Sequence, residues 1–348
     1  MAKKKMSSRR NRRATLRDIA EATNVSVMTV SNVVNGKSQF VSRATRQKVE
    51  AAIKRLKYVP SATSRKLRSS QEFSIGMVIM DEAPVFLADP FICLLVAGLS
   101  NHLSSNNYSL TVQGVRPESF REASLFSVAG TDALCAILCG TEADRRKNVD
   151  FMMGRHQPVV LFQDSLNIKA SGIAIVNQDD EKGGRDITSH VISRGAKKML
   201  FVRPLVQWPA IEKRLKGVKK AAARKKGVTL DVLECEESTF EKTQEALADY
   251  FADADIPDAI LGGTDAMGIA AMRYCQDHGY KVPDDILITG FNGFSASNFS
   301  TPSLTTIISP AYEMGQLAGQ LILDRLRTGR FSARNTLLPV SFKQGGSA

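Results

Sequence analysis

The sequence predicts a helix-turn-helix headpiece of three short helices, followed by a two-lobed α/β domain on two parallel, doubly wound sheets. Three observations carry that prediction. First, the charge is lopsided: the 348 residues have a net charge of +12, and the first 72 hold 18 Lys+Arg against 4 Asp+Glu, while the rest holds 29 against 31. Such asymmetry fits a polyanion-binding module joined to a near-neutral domain. Second, capping residues stand at helix spacing between Thr15 and Lys57. Third, from Phe73 onward apolar runs alternate with amphipathic stretches, the pattern of strands and helices in parallel sheets.

Thr15 can cap a helix over Leu16–Thr23, with Leu16, Ile19 and Ala20 on one face. Asn24-Val25 makes the turn. Ser26 can cap a second helix to about Val34, with Val30, Val33 and Val34 inward and Asn35-Gly36 ending it. Ser42 caps a third to about Lys57, with Val49, Ile53 and Leu56 as its stripe. Tyr58-Val59-Pro60 then breaks the helix. Ser61 to Leu67 reads as one more short helix, too short to hold by itself, and Arg68 to Glu72 as a linker.

Beyond Phe73, FSIGMVIM, YSLTVQG, ALCAILC, PVVLF, IAIVN, KMLFVRP, TLDVLEC, DAILGG and DILITGF read as strands. Helices are expected near 91–105, 118–129, 142–155, 181–194, 210–226, 240–252, 265–278 and 311–328. That is too many units for one sheet, so two lobes with a cleft between them are expected, each wound right-handed.

The excluded classes are as informative. No apolar run reaches the roughly 18 residues of a membrane span, and the basic start lacks the apolar stretch of a secretory signal, so a cytoplasmic protein is expected. The five cysteines form no CxxC pair, and Cys135 and Cys139 read as small buried hydrophobes. No metal or cofactor is expected. HExxH, GxSxG and a strand-borne GxGxxG are absent, and VNGKS lacks the first glycine of a phosphate loop, so an enzyme is not expected. His102, His156, His190 and His278 are scattered and read as surface or packing residues.

The segment TLRDIAEATNVSVMTVSNVVNG, with VSRATRQKVEAAIKRLKYVPSATSRKLRS, closely resembles the start of the LacI/GalR family. VNQDDEKGGRDITSHVISRGAKKMLFV, RLKGVKKAAARKKG, DAMGIAAMR, KVPDDILITGFNG and TPSLTTI then follow in the family's order. The GFNG and terminal GGS segments resemble its gluconate-repressor branch. The resemblance implies a homodimeric regulator of carbohydrate genes that binds operator DNA and a small-molecule effector, with a periplasmic-binding-protein-like effector domain. It implies a basic tail at 1–14, a DNA-binding domain at 15–58 and a hinge helix with linker at 59–72. The lobes would be 73–178 with 309–338, and 179–308 with 339–348.

By motif matching, Val27, Met28 and Asn32 fall on base-reading positions. Arg is common in the family where Asn32 stands; Arg favours guanine and Asn favours adenine. Ser26, Thr29, Ser31 and Asn35 suit phosphate oxygens, and Thr15 suits either phosphate or cap. In the hinge, Ser61 and Arg65 would lie along the minor groove, and Leu67 matches a leucine that wedges between base pairs. Packing or solvation remains the alternative for each. In the cleft, Phe91, Ile92, Arg214, Thr264 and Asp265 match pocket positions, and Asn292 replaces an Asp of neutral-sugar members. Asp164 or its neighbour Gln163 matches a further polar position. With that carboxylate lost and the Arg214 fork kept, the expected effector is anionic, a sugar acid or sugar phosphate. A sugar receptor with no DNA role and a sugar-metabolising enzyme are the rival readings. Repressor and activator stay open.

Overall fold

The protein is described by a computed structural model covering residues 14–34, 38–58, 72–82, 86–127, 130–236 and 240–348. The chain divides into two compact units, Met1–Glu72 and Phe73–Ala348.

The first unit holds α1 (Leu16–Thr23), α2 (Val27–Val34) and α3 (Arg43–Arg55). Thr15 and Asp18 cap α1 reciprocally: Asp18 N donates to Thr15 Oγ1 at 3.3 Å and Thr15 N to Asp18 Oδ2 at 2.7 Å. Asn24, at φ 52°, turns the chain. Thr29 N donates to Ser26 Oγ at 3.0 Å and Thr45 N to Ser42 Oγ at 3.2 Å, so the expected caps form. Ile19, Ala20, Val30, Val49 and Ala52 make the core, and Tyr58 closes it. The sequence had marked Tyr58 as a breaker alone. Lys57 ends α3 in the left-handed region, and that bend returns the Tyr58 ring to the core.

The second unit contains a six-stranded sheet in the order β11-β5-β4-β3-β1-β2. Its strands are β1 (Ser74–Met80), β2 (Ser109–Val115), β3 (Ala133–Leu138), β4 (Val159–Phe162), β5 (Ile173–Gln178) and β11 (Asn335–Leu338). All neighbours are parallel, with Gly76 opposite Thr111 on one side and Leu134 on the other. A second parallel sheet runs β7-β6-β8-β9. It is built from β6 (Lys198–Pro204), β7 (Thr229–Cys235), β8 (Ala259–Gly262) and β9 (Leu287–Thr289). The two parallel sheets are those the alternation predicted. A short antiparallel pair, β10 (Thr306–Ile308) with β12 (Ser341–Lys343), was not read from the sequence.

Helices cover the sheets: α4 (Pro90–Ser105), α5 (Ser124–Ser127), α6 (Glu142–Met153), α7 (Asp180–Ser193), α8 (Pro209–Ala222), α9 (Phe240–Asp253), α10 (Asp265–Asp277), α11 (Ala296–Phe299) and α12 (Ala311–Thr328). The helix expected over 118–129 is instead a 3₁₀ turn, Pro117–Glu122, and the single turn α5. A non-helical residue, Ala123 at φ −53° and ψ 129°, separates the two. The Gln113 side chain takes the Leu125 N–H at 2.8 Å. The break lets Phe120 and Phe126 reach Phe151 from different directions.

In each lobe one helix pair touches backbone to backbone. α4 lies on α12, and α7 on α8. A Cβ on Gly315 would meet Leu95 O at 2.1 Å, and one on Gly217 would meet Glu181 O at 2.1 Å. Three connections join the lobes: β5 into α7, β10 into α12, and β11 into β12. They are tied together. Asp179 N donates to Leu338 O at 2.9 Å, and Ser309 Oγ donates to Gln178 Oε1.

Candidate nucleic-acid interface and interlobe cleft

On the first unit, α2 turns an apolar surface outward. Val27 is 44% and Met28 70% exposed, in a helix of eight residues. Large apolar side chains held in water at a helix start, with no core function, ask for a partner. Asn32 is half-buried on the same helix. Exposed Arg17, Arg43, Lys48, Lys54 and Arg55 surround the bundle with positive charge.

Ser26 is exposed and its hydroxyl caps α2; Thr29 Oγ1 lies 2.9 Å from it. Thr15 Oγ1 accepts from Asp18 N and donates to Asp18 Oδ2 at 2.8 Å, so of its two expected uses the cap is occupied. Ser31 departs from the expectation. It is only 9% exposed, because it follows Val30 on the side of α2 that packs inward, and a phosphate oxygen has little access to it. Asn35, Ser61, Arg65 and Leu67 lie outside the described residues.

In the second unit the carboxyl ends of both parallel sheets face a cleft. Its lining includes Asp81, Asp89, Phe91, Ile92 and Ile137 from the first lobe's elements, with Gln163 after β4. The facing wall is Trp208, Pro209, Ala210, Ile211, Arg214, Thr264 and Asn292. Ligands bind at such strand ends in doubly wound folds. The space beside Arg214 is about 70 Å³. Hydrogen bonds cross between the lobes. Gly140 N donates to Gln207 O at 2.8 Å, and Lys213 Nζ reaches Asp164 O at 3.3 Å. Beyond the Gly140–Gln207 bond a wider polar depression opens, edged by Arg121, Thr141, Asp144 and Leu205.

Arg214 is the centre of the cleft wall. Its Nε donates to Asp180 Oδ1 at 2.9 Å, Nη1 to Gly263 O at 2.7 Å and Nη2 to Asn292 Oδ1 at 3.1 Å. Its guanidinium lies 3.9 Å from the Phe291 ring centroid. Arg214 is 3% exposed, so its ion pair is not a surface one. Asn292 sits at φ 115°, a strained region for a side-chain-bearing residue, as residues at ligand sites often do.

Of the residues expected in the cleft, Phe91, Ile92, Arg214, Thr264 and Asn292 are brought together. Asp164 and Asp265 are not. The Asp164 carboxylate turns away to take Arg145 Nε at 3.2 Å and Leu166 N at 2.8 Å. Gln163 takes the cleft position instead, because its backbone turns left-handed at φ 54° directly after β4. Its Oε1 accepts from Gln178 N at 3.4 Å, while its buried Nε2 has no partner. Asp265 spends both oxygens internally, on Thr306 Oγ1 at 2.6 Å and Phe294 N at 2.8 Å. Sequence reasoning missed Asp81, Trp208 and Asp89. The Asp89-Pro90 pair is a readable helix-start signature: Asp89 caps α4 through Phe91 N at 2.8 Å.

The charge balance around Arg214 bears on the expected effector. Arg214 is neutralised from behind by Asp180, and the space in front of it faces Asp81 and Asp89. Desolvation of its carboxyl raises Asp89 above its usual range, against the pull of its bond from Phe91 N and the charge of Arg214, although the residue as a whole is exposed. An anion entering here meets two carboxyl groups and one already paired cation, so the lost carboxylate at 292 does not by itself make the cleft favour anions. Among the described residues no cluster is placed to hold a metal ion, and no helix is long and apolar enough to cross a membrane.

A three-helix headpiece exposing an apolar-tipped second helix, followed by a two-lobed α/β domain, is the architecture of a DNA-binding transcription regulator. Residues 15–61 match the model for bacterial regulatory proteins of the lacI family, and 188–348 match that for the periplasmic binding protein-like domain. The chain belongs to the LacI family. It is 30% identical to the ribose operon repressor of Escherichia coli (strain K12) over 341 residues, 96% of this chain and 100% of that one. It is 29% identical to the catabolite control protein A of Staphylococcus xylosus over 340 residues, 96% and 98% of the two chains. The structure of the lac repressor dimer bound to operator and the anti-inducer ONPF aligns at TM-score 0.82 and 26% identity, covering 97% of this chain and 99% of that one.

Proposed function

We propose that this chain is a cytoplasmic homodimeric repressor of carbohydrate genes, released from a two-fold symmetric operator by a small hydroxyl-rich sugar bound between the lobes. Val27 and Met28, exposed at the start of α2, carry the DNA half of this reading. In a helix-turn-helix that position meets base edges in the major groove. Asn32 reads an adenine beside them, Ser26 and Thr29 set register on phosphates, and the 59–72 segment lies in the minor groove with Leu67 as a wedge.

The effector half rests on the mixed polarity of the cleft. Gln163 Nε2 and the remaining N–H groups of Arg214 donate, Asp81 and Asp89 accept, and Phe91 and Trp208 offer apolar faces. A neutral polyol matches donors and acceptors together. The sugar-acid reading keeps one observation in its favour, the unpartnered donor at Gln163 beside Arg214. A thermal-shift series on the full chain tests this, comparing D-ribose and cellobiose with D-gluconate and glucose 6-phosphate. A shift with neutral sugars alone is expected; a shift with gluconate or the phosphate alone would reverse the assignment.

A further inference from the structure

One residue touches every part that must move when the cleft opens. Gln178 ends β5 at the first lobe connection and is fully buried. Its N–H donates to Gln163 Oε1 at 3.4 Å, the cleft amide of the first lobe. Its Nε2 donates to Asp180 Oδ1 at 2.8 Å, the same oxygen that takes Arg214 Nε, the cleft cation of the second lobe. Its Oε1 accepts from Ser309 Oγ, in the second lobe connection. Ser309 N in turn donates to Asn292 O at 3.0 Å, whose side chain binds Arg214. The bonds close a ring through Gln178, Asp180, Arg214, Asn292 and Ser309.

From this ring the geometry points to Gln178 as the positioning residue that couples cleft occupancy to lobe orientation. It touches no part of the ligand space itself. Lobe closure is absorbed by a few backbone torsions at the connections. A ligand shifts the lobes only through contacts that differ between the two states. Arg214 and Gln163 are two cleft groups, one on each lobe, through which a ligand can pull; Gln163 bonds Gln178 directly and Arg214 reaches it through Asp180. The Asp180 carboxylate marks where the ring has a second position. Both its donors converge on Oδ1, and the buried Oδ2 has none. A small rotation of Arg214 toward that oxygen would exchange its single bond for the two-pronged pairing preferred by guanidinium and carboxylate, and would release Asn292. The inference rests on the reading of the cleft as the effector site, but its first test needs no effector.

Amide hydrogen exchange on the ligand-free full chain is compared among wild type, Ser309→Ala, Gln178→Leu and Thr188→Val. Thr188 is equally buried and bonds only within its helix, to Gly184 O. Ser309→Ala removes one oxygen from the second connection. It should speed exchange in the first connection, residues 176–179, by roughly tenfold, the scale of one lost buried hydrogen bond, while Thr188→Val leaves that segment alone. Exchange there within threefold of wild type in Ser309→Ala overturns the coupling role. With D-ribose added, wild type should gain protection in the cleft and at both 176–179 and 307–310, whereas Gln178→Leu should gain it in the cleft alone. Equal protection at the connections in both proteins also overturns it. If wild type responds to neither D-ribose nor cellobiose, the neutral-sugar reading fails and the ligand-free comparison still decides the ring.

Discussion

Arg214 and Asp180 form an ion pair closed off from water, Nε to Oδ1 at 2.9 Å, with side chains 4% and 0% exposed. Burial pushes the Asp180 carboxyl above its usual range, and Arg214 pulls it back. Removing one member of such a pair leaves a charge stranded in the interior. Asp180→Ala should therefore destabilise the α/β unit by about 3–5 kcal/mol, read as a lower urea midpoint. A loss under about 1 kcal/mol would show that water already reaches the pair.

The contact between α7 and α8 admits no side chain at Gly217. A Cβ there would lie 2.1 Å from Glu181 O, a backbone atom that cannot rotate away. Gly217→Ala should force the helices apart at a cost of about 1–3 kcal/mol or more. An unchanged urea midpoint would mean that α7 and α8 shift freely over one another.

The same helix pair carries a pH-sensitive clasp. Glu181 accepts from Lys220 at 2.6 Å and pairs with Lys216 at 2.9 Å. Hydrogen bonds from Lys220 and then Lys216 hold its carboxyl down at about 2, against an ordinary 4.5. A depressed carboxylate contributes stability that is fully present above 4.5 and is lost as pH falls toward 2. The melting temperature should therefore fall more steeply across that window in wild type than in Glu181→Gln. Parallel slopes would show that the clasp contributes nothing.

In the headpiece, the reciprocal Thr15–Asp18 cap predicts that Thr15→Ala costs about 1 kcal/mol and Thr15→Asn much less. Far-UV circular dichroism of the full chain, followed through the headpiece transition, checks both. A Thr15→Ala headpiece as stable as wild type would return Thr15 to its other expected use, phosphate contact.

The legible parts of this protein were those set by local chemistry. Thr15, Ser42 and Asn24 announce helix ends because caps and left-handed turns depend on a few adjacent residues. The helix over 311–328 was placed to the residue, since its apolar stripe runs unbroken from Ala311 to Leu326. β10 and β12 escaped because three-residue strands carry too little pattern. Asp164 and Gln163 are not separable in sequence because PVVLF has no alternation to set which way the next two side chains point, and the left-handed turn at Gln163 is invisible there. The Asp180–Arg214 pair joins residues 34 apart, and nothing local announces it. The charge around Arg214 was out of view for the same reason, since the carboxylate that neutralises it is distant in sequence.

The central claim is that α2 reads base pairs through Val27, Met28 and Asn32. Selection of bound duplexes from a random-sequence library, run with wild type and with Asn32→Arg, tests it most directly. Wild type should enrich a two-fold symmetric site, with binding that falls steeply with added salt. Asn32→Arg should change preference at one position per half-site, from adenine toward guanine. A library that emerges unenriched, or the same site selected by both proteins, would contradict the account.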